Sequence, residues 1–328
     1  MDLGRRQWVG AAAALALTSW RGTAVAAVSA PRFALIDNDT PGARTNHATF
    51  VAALTRRLAA TGVKPDVRLV PLGVTIDAQN RRALGEALEA IKPDIIIASN
   101  LGHAQLAGAL NTGKPIIFFS PIDPVAGGLT DSLTRPNKGM TGFTLGSRIA
   151  LKRREMLLRL APRCRVMGLL SSTLQIGEGQ LRPAPEATEM LPQIEQRKFT
   201  CDDLGQLAAL LKSAPARVVD AWDVEYTLVP YRYGEETVRL FDTVRRPVMY
   251  PRMKHVHMGG MAAYAPRIDE ADEVWVSQVV SLLAGVPVEN IPVVQATRYS
   301  FGLNLKACYR VGVQPPKSLI RIADVVLE

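Results

Sequence analysis

The chain has 328 residues, 48% of them apolar, and a formal net charge of +9. This length and apolar content allow two domains with separate cores. No stacking aromatic residues are interleaved with the densest basic runs, Lys152-Arg-Arg154 and Arg245-Arg246. We therefore interpret these runs as solvated surface and expect no nucleic-acid partner.

The amino terminus has the pattern of an export signal. Gly4-Arg-Arg-Gln-Trp-Val-Gly10 precedes the apolar run Ala11 to Leu17 and then the cleavage pattern Ala24-Val-Ala26. We expect residues 1–26 to be a signal peptide cleaved near Ala26, which leaves a charge of about +7. Arg5 and Arg6 favour the twin-arginine route, with general secretory export as the alternative. The apolar run is far below the roughly twenty residues that span a bilayer, so the mature chain should be free in the periplasm.

The first half of the mature chain alternates strand and helix patterns. The predicted strands are Phe33–Ile36, Val67–Val70, Asp94–Ala98 and Pro115–Phe119, and the predicted helices are His47–Thr61, Arg81–Ile91 and His103–Leu110. The segment Ala126–Leu129 is expected to open a further short helix. Four buried parallel strands with intervening helices indicate a doubly wound α/β lobe.

The same alternation begins again in the second half. Strand patterns occur at Val166–Leu170, Glu195–Thr200, Val218–Trp222 and Pro247–Tyr250. The sequence therefore predicts two flavodoxin-like lobes, each a doubly wound parallel sheet. The expected bounds are 27–143 plus about 262–297 for the first lobe, and 144–261 plus about 298–328 for the second. Three hinge crossings are expected near Met140–Thr144, Met261–Tyr264 and Ala296–Phe301.

Candidate ligand-binding residues follow the strands, because small ligands bind at the carboxyl ends of strands in open α/β sheets. In the first lobe they are Asp37, Asn38, Asp39, Ser99, Asn100, Leu101, Ser120, Pro121 and Asp123; in the second they are Asp223, Tyr226 and Tyr250. The carboxylates could neutralise a ligand ammonium, the turns before helices favour an anion, and the tyrosines could supply an aromatic wall.

Each of these residues also has a purely structural interpretation. Asp37 and Asp39 are common turn formers before Pro41-Gly42, and Asp123 could cap the helix that follows it. Trp222 is expected in the core rather than in the cleft.

The sequence gives little indication of a catalytic site or a metal site. No nucleophile elbow, phosphate loop or dinucleotide fingerprint is present. His255-Val-His257 has a spacing that can hold a metal on an extended segment, but no further ligand lies beside it, so a metal site is not expected.

Cys164, Cys201 and Cys308 are too few for a disulfide framework and are expected to be free, mostly buried thiols.

Several segments, in this order along the chain, resemble one known family, the periplasmic solute-binding proteins of ABC importers, in the branch whose better-described members bind tryptophan or tyrosine. They are Phe118–Leu129, Ser132–Asn137, Met140–Phe143, Gly259–Tyr264, Leu283–Gly285, Ile291–Val293, Leu303–Ala307 and Val313–Pro316.

The resemblance implies a type I periplasmic binding fold, no cofactor and no catalysis. It also implies a small-molecule ligand, such as an aromatic amino acid, delivered by a monomer to an ABC permease. A ligand-sensing receptor for a membrane signalling protein and, more weakly, an exported α/β enzyme are the alternatives.

Overall fold

The structure is a computed structural model that describes residues 30–39, 41–73, 77–145, 148–172, 191 and 193–328. The predicted signal peptide, residues 1–26, lies outside the described residues. In the described part of the chain, no helix combines the length and the hydropathy that a membrane crossing requires.

The first lobe is built around a six-stranded parallel sheet in the order β11-β5-β4-β3-β1-β2. Its strands are β1 (Arg32–Asn38), β2 (Asp66–Leu72), β3 (Ile95–Ala98), β4 (Ile116–Ser120), β5 (Met140–Thr144) and β11 (Val294–Gln295). Its helices are α1 (Pro41–Leu58), α2 (Ala78–Ile91), α3 (Leu101–Ala109) and α10 (Ile268–Leu283), with 3₁₀ turns at Ala59–Thr61 and Val288–Asn290.

The second lobe contains a seven-stranded sheet in the order β13-β12-β10-β9-β8-β6-β7, in which only β10 and β12 pair antiparallel among the described strands. Its strands are β6 (Val166–Ser171), β7 (Glu195–Thr200), β8 (Ala221–Val224), β9 (Val248–Tyr250), β10 (Ala262–Pro266), β12 (Tyr299–Asn304) and β13 (Val325–Leu327). Its helices are α4 (Arg148–Leu160), α5 (Leu204–Lys212), α6 (Ala214–Arg217), α7 (Leu228–Arg232), α8 (Gly234–Asp242), α9 (Met253–His257), α11 (Leu305–Arg310) and α12 (Lys317–Ile322).

Both sheets have the flavodoxin-like strand order. The run β2-β1-β3-β4-β5 in the first lobe repeats as β7-β6-β8-β9-β10 in the second. In each sheet the chain builds strands first to one side and then to the other, and the direction changes between β1 and β3 and between β6 and β8. Open α/β sheets bind ligands in the crevice at such switch points. The prediction of two doubly wound lobes is confirmed.

Alternating apolar residues give the first sheet a core on each face. Phe33 and Leu35 pack with helices α1 and α10, whereas Ala34 and Ile36 pack on the side of α2 and α3. Every one of these side chains is buried, because helices cover both faces of the parallel strands. Two further cores lie on either side of the second sheet.

The chain passes between the lobes after β5, after β10 and after β11. Residues 262–266, predicted to belong to the first lobe, instead form β10 in the second sheet, between β9 and β12. The second crossing therefore follows Pro266 rather than lying at Met261–Tyr264. Pairing of Ala262 with Met249 decides this boundary, and such long-range pairing leaves no local pattern in the sequence.

Tyr299 links the three crossings. Its hydroxyl donates to the carbonyl oxygen of Ala296 at 2.9 Å and lies 3.4 Å from that of Leu145, while its ring stacks on Tyr264 with centroids 5.6 Å apart. Leu145 and Ala296 lie in the first and third crossings, and Tyr264 lies in β10, just before the second. Tyr299 therefore contacts the chain in or beside all three crossings.

The segment after β4 differs from its prediction. Residues 124–128 form turns rather than the expected helix at Ala126–Leu129. Pro121 and Pro124 fix their backbone angles, and Gly128 adopts a positive φ of 73°, so a regular helix does not propagate.

The three cysteines, Cys164, Cys201 and Cys308, are free and buried, as expected. Burial raises the pKa of the Cys164 and Cys201 thiols to about 11, so both stay protonated at neutral pH.

Replacement of Gly142 by alanine is expected to destabilise the first lobe. A Cβ atom at Gly142 in β5 would lie 2.1 Å from the Phe118 carbonyl oxygen in β4, and a backbone atom cannot move aside without breaking the sheet. We expect a loss of about 3 kcal/mol in the free energy of unfolding, measured by urea titration. Gly85→Ala in α2 is the control: its Cβ would meet only Leu110 at 3.8 Å, and it should be neutral or stabilising. Equal stability of the two variants would contradict this account.

Candidate functional site

A cavity of about 540 Å³ lies between the two lobes. Its walls come from the carboxyl ends of β1, β3 and β4 in the first lobe, from the segments after β8 and β9 in the second, and from the first turns of α10. The position agrees with the rule that open α/β sheets bind ligands at the carboxyl ends of their strands, near the switch points.

Asp37 supplies a buried carboxylate at the end of β1. It is 2% exposed, and its Oδ1 accepts hydrogen bonds from the Ser99 hydroxyl at 2.7 Å and from the Asn38 backbone N–H at 2.8 Å. These hydrogen bonds compensate the burial of the polar carboxylate and fix its position beside the cavity. All three residues line the cavity.

Asn100 lies beside Asp37 and is fixed from behind by His103. The Asn100 side-chain oxygen accepts from the His103 backbone N–H at 2.8 Å, which caps α3, and its amide nitrogen contacts Nδ1 of His103 at 2.9 Å and Oδ1 of Asn38 at 3.3 Å. Nε2 of His103 faces the Gly73 carbonyl oxygen at 3.3 Å, so this nitrogen carries the proton and Nδ1 accepts. Burial lowers the pKa of His103, which keeps the imidazole neutral in this role.

Two tyrosines and an arginine form the opposite wall. The rings of Tyr226 and Tyr231 lie 6.3 Å apart, and the Arg252 guanidinium stacks over the Tyr231 ring at 4.7 Å. Burial raises the pKa of Tyr226, and it raises that of Tyr231 to about 12, so both phenols remain neutral hydrogen-bonding groups. Arg252 makes no ion pair with any residue that the structure describes, and its charge faces the cavity.

The Asn38 side chain acts to lower the pKa of Tyr231, against the larger effect of burial, so residues of the two lobes lie near each other at the polar end of the cavity. Next to Tyr226, the hydroxyl of Thr227 is buried and has no hydrogen-bond partner among the described residues.

Apolar side chains cover most of the remaining wall. Leu35, Phe119, Phe143 and Trp275 belong to the first lobe, and the Trp275 ring is held by an edge contact with Phe50 and by donation from Nε1 to the Phe118 carbonyl oxygen at 3.1 Å. A fixed aromatic wall of this kind favours an apolar or planar group on the ligand.

Half of the predicted site residues line the cavity: Asp37, Asn38, Ser99, Asn100, Pro121 and Tyr226. Four others of the first lobe do not line it. Leu101 is buried in the core, Ser120 donates its hydroxyl hydrogen bond to the Ile122 carbonyl, Asp123 accepts from the Val125 backbone N–H, and Asp39 is exposed. Asp123 therefore stabilises a turn, and the helix that it was expected to cap does not form.

Asp223 was predicted after a strand but lies inside β8, which runs two residues beyond the predicted strand. It is completely buried and forms ion pairs with Arg153, which contacts both carboxylate oxygens, and with Arg154 at 3.1 Å. Arg154 also bridges to Glu225 at 3.0 Å. Burial acts to lower the pKa of Arg153, but the Asp223 charge outweighs it and raises that pKa. Asp223 neutralises protein cations rather than facing the cavity.

Tyr250 is also absent from the cavity wall. It is the last residue of β9, its side chain is 1% exposed, and its ring stacks on His255 with centroids 5.2 Å apart. Trp222 is buried in the core, as expected, against Phe199 and Phe241.

Sequence reasoning missed several cavity residues: Thr49, Thr227, Tyr231, Arg252, Lys254, Asp272 and Trp275. The strand-end rule could have found Arg252, which lies two residues beyond β9. The others lie on or beside helices and face the cavity only because of how the lobes pack.

His255 and His257 do not form a metal centre with any of the described residues. They lie in the helix α9, not in an extended segment, and the His255 ring contacts the carbonyl oxygens of Pro230 at 2.9 Å and Arg252 at 3.1 Å. Over the described ranges, no group of three or more His, Cys, Asp or Glu side chains is arranged to hold a metal ion.

Comparison with protein families gives one match: a family described as ABC transporter substrate binding protein matches residues 74–327. No curated protein matches the sequence.

Solved structures share the fold. An ABC domain from Streptococcus pneumonia in complex with L-Trp has a TM-score of 0.71 and 17% identity, covering 90% of this chain and 100% of that chain. A conserved domain protein from Vibrio cholerae has a TM-score of 0.74 and 17% identity, with coverage of 90% and 99%. An ABC transporter solute-binding protein from Agrobacterium vitis, bound with alpha-D-tagatopyranose, has a TM-score of 0.60 and 18% identity, with coverage of 89% and 99%. The predicted type I periplasmic binding fold is confirmed.

Substitution of Asp223 by asparagine is expected to lower the free energy of unfolding by about 3 to 5 kcal/mol, because it leaves the buried Arg153 and Arg154 cations without their shared counter-ion. Urea unfolding measures the change. The matched control is Asp242→Asn, which removes the exposed pair with Arg310 and should cost about 1 kcal/mol or less. A loss in Asp223→Asn no greater than in the control would show that the buried pair is not needed.

Proposed function

The chain belongs to the family of ABC transporter substrate-binding proteins, and we propose that it captures an amino acid, aromatic or otherwise apolar, in the cavity between its lobes. It then delivers this ligand, as a monomer, to an ABC permease in the inner membrane. Members of this family bind solutes and are not enzymes, which agrees with a cavity that holds no recognisable catalytic arrangement among the described residues.

One observation carries the proposal: a buried carboxylate and a guanidinium without an ion pair among the described residues lie on opposite walls of the same cavity. Asp37 of the first lobe can receive the ligand ammonium, and Arg252 of the second can receive the ligand carboxylate. A zwitterion thereby satisfies both charges at once and links the two lobes. Ser99 and the Asn38 backbone N–H keep Asp37 in place for this contact, and Asn100 donates to the Asn38 side chain.

The rest of the wall supports an apolar side chain on the ligand. Leu35, Phe119, Phe143 and Trp275 offer few hydrogen-bonding groups, whereas a sugar would need several polar partners around its ring. The L-Trp complex of the similar Streptococcus protein agrees with this ligand class; the tagatose complex of the Agrobacterium protein makes sugars the necessary comparison in any test.

Closure of the two lobes around the ligand would strengthen binding. Water leaves the cavity as the lobes approach, and hydrogen bonds to the ligand charges strengthen in the drier site. The closed form then presents both lobes to the permease.

The ligand class is tested by thermal unfolding of the mature chain, residues 27–328, with amino acids, short peptides, nucleosides, sugars and organic anions. At 100 times the dissociation constant, a ligand stabilises by about 2.7 kcal/mol, a shift of roughly 5 to 10 °C for a chain of this size. We expect the shift with tryptophan, tyrosine or phenylalanine. A shift with sugars alone would refute the amino-acid proposal.

The charge pairing is tested by Asp37→Asn. Loss of a charged hydrogen-bond partner should weaken amino-acid binding by roughly 10- to 100-fold in calorimetric titration. Asp39→Asn is the matched control, since Asp39 lies two residues further on, is exposed and does not line the cavity. If both variants bind like the wild type, Asp37 is not the ammonium partner.

We also propose export to the periplasm by the twin-arginine route. Replacement of both Arg5 and Arg6 by lysine should abolish accumulation of mature protein in the periplasmic fraction, because that route reads the arginine pair. Continued export of the double variant would favour the general secretory route, and failure of the wild type to reach the periplasm would refute the localisation.

A further inference from the structure

The cavity has further polar groups in its wall at the start of helix α10. Asp272 lines the cavity there, three residues before Trp275 on the same helix, and the uncharged Thr49 of α1 lines it as well. The neighbouring wall consists of Ala271 and the aromatic side chains of the first lobe, so the carboxylate borders an apolar space. Asp272 is half-buried.

The Asp272 carboxylate makes no hydrogen bond or ion pair with any side chain in the described part of the chain. Its acidic neighbour Asp269 is different, because Arg267 donates to both oxygens of Asp269, at 3.2 and 2.7 Å. Asp272 is therefore the carboxylate in this part of the wall that remains available to a ligand.

The protein charges around Asp272 do not neutralise it. The nearest charge on its own helix is that of Asp269, which has the same sign. The two nearby arginines are already paired: Arg267 with Asp269, and Arg298 of the third crossing with Glu273 at 2.5 Å. Lys254 lines the cavity from the second lobe and forms no ion pair with Asp272. Burial, and then repulsion from Asp269, raise the pKa of Asp272 to about 6. A hydrogen-bond donor on the ligand would stabilise the ionised form of this carboxylate.

Asp272 lies on α10, whereas Asp37 lies at the end of β1. Asp37 is not among the charges that raise the pKa of Asp272. If an amino acid binds Asp37 through its ammonium and Arg252 through its carboxylate, the end of the ligand side chain is the part that remains to contact Asp272, beyond the aromatic wall.

We propose that Asp272 is a specificity-determining residue, which selects ligands whose side chain ends in an N–H or O–H donor over ligands of the same shape without one. The inference rests on the proposed function, because it takes the ligand to be an amino acid held at Asp37. It narrows the ligand class to amino acids with an apolar middle and a donor at the tip. Leucine-like and phenylalanine-like side chains would leave the Asp272 carboxylate without a partner, which is the kind of mismatch that binding sites reject most strongly.

The test uses pairs of ligands that differ only in the donor: L-tyrosine against L-phenylalanine, L-tryptophan against L-1-naphthylalanine, and L-lysine against L-norleucine. Dissociation constants are measured by calorimetric titration at pH 7.5 for the wild type and for Asp272→Asn. We expect the wild type to prefer the donor-bearing member of at least one pair by roughly 10-fold or more. We expect Asp272→Asn to reduce that preference to less than about 3-fold.

A pH series on the wild type gives a second readout that needs no variant. A donor stabilises the ionised carboxylate, so binding of the donor-bearing ligand should be strongest above the free pKa of about 6 and weaken as the pH falls through it. The donor-free ligand of the pair should not weaken over the same range. Glu273→Gln is the matched control, since Glu273 lies next to Asp272 on α10 but is exposed and outside the cavity wall, and it should keep both the preference and the pH profile.

The outcomes separate the two proposals. If the wild type binds amino acids but ignores the donor, or if Asp272→Asn keeps the preference, the inference about Asp272 is wrong and the amino-acid function stands. If the wild type binds none of the six ligands, the proposed function fails and the inference fails with it.

Discussion

The parallel, in-register pairing of β1 with β3 is the constraint on which the site depends. Ile36 lies opposite Ala98, so the next residues along the two strands, Asp37 and Ser99, leave the sheet together. The Ser99 backbone N–H donates to the Ile36 carbonyl oxygen at 3.0 Å, and its hydroxyl donates to Asp37 at 2.7 Å. A shift of one residue in this pairing would turn Ser99 away from Asp37 and leave a buried carboxylate without that partner, at a cost of about 1 to 3 kcal/mol.

The sequence predicts the part of the site that follows from strand ends and misses the part that follows from packing between lobes. Apolar runs bounded by turns locate β1, β3 and β4, and the rule for open sheets then brings Asp37, Ser99, Asn100 and Pro121 to one edge. The error at Asp223 has a local cause. A strand buried on both faces shows no alternation, so its apolar residues do not reveal whether the acidic residue lies within the strand or after it.

Tyr231, Asp272 and Trp275 could not be predicted in the same way. They lie on helices, where the residue that faces the cleft depends on how the helix is rotated and on how far the lobes close. The apolar residues around Trp275 indicate only a helix with a buried side. The boundary at β10 is a similar case, because only pairing with β9 and β12 assigns residues 262–266 to the second lobe.

Charge placement distinguishes structural carboxylates from those that can act on a ligand. Asp223 is enclosed by Arg153 and Arg154, and Glu270 accepts from the backbone N–H groups of Thr297 and Arg298, so both stabilise the fold. Asp37 is different because it borders the cavity, where Ser99 and a backbone N–H donate hydrogen bonds to it. The proposed site gives a ligand cation this carboxylate as its partner, and the neutral His103 behind Asn100 does not repel such a cation. The second lobe contributes the opposite charge through Arg252. A dipolar ligand then lowers the energy of the closed form more than that of the open form, since only closure brings both charges within reach. This difference allows one small molecule to select the conformation that a permease can recognise.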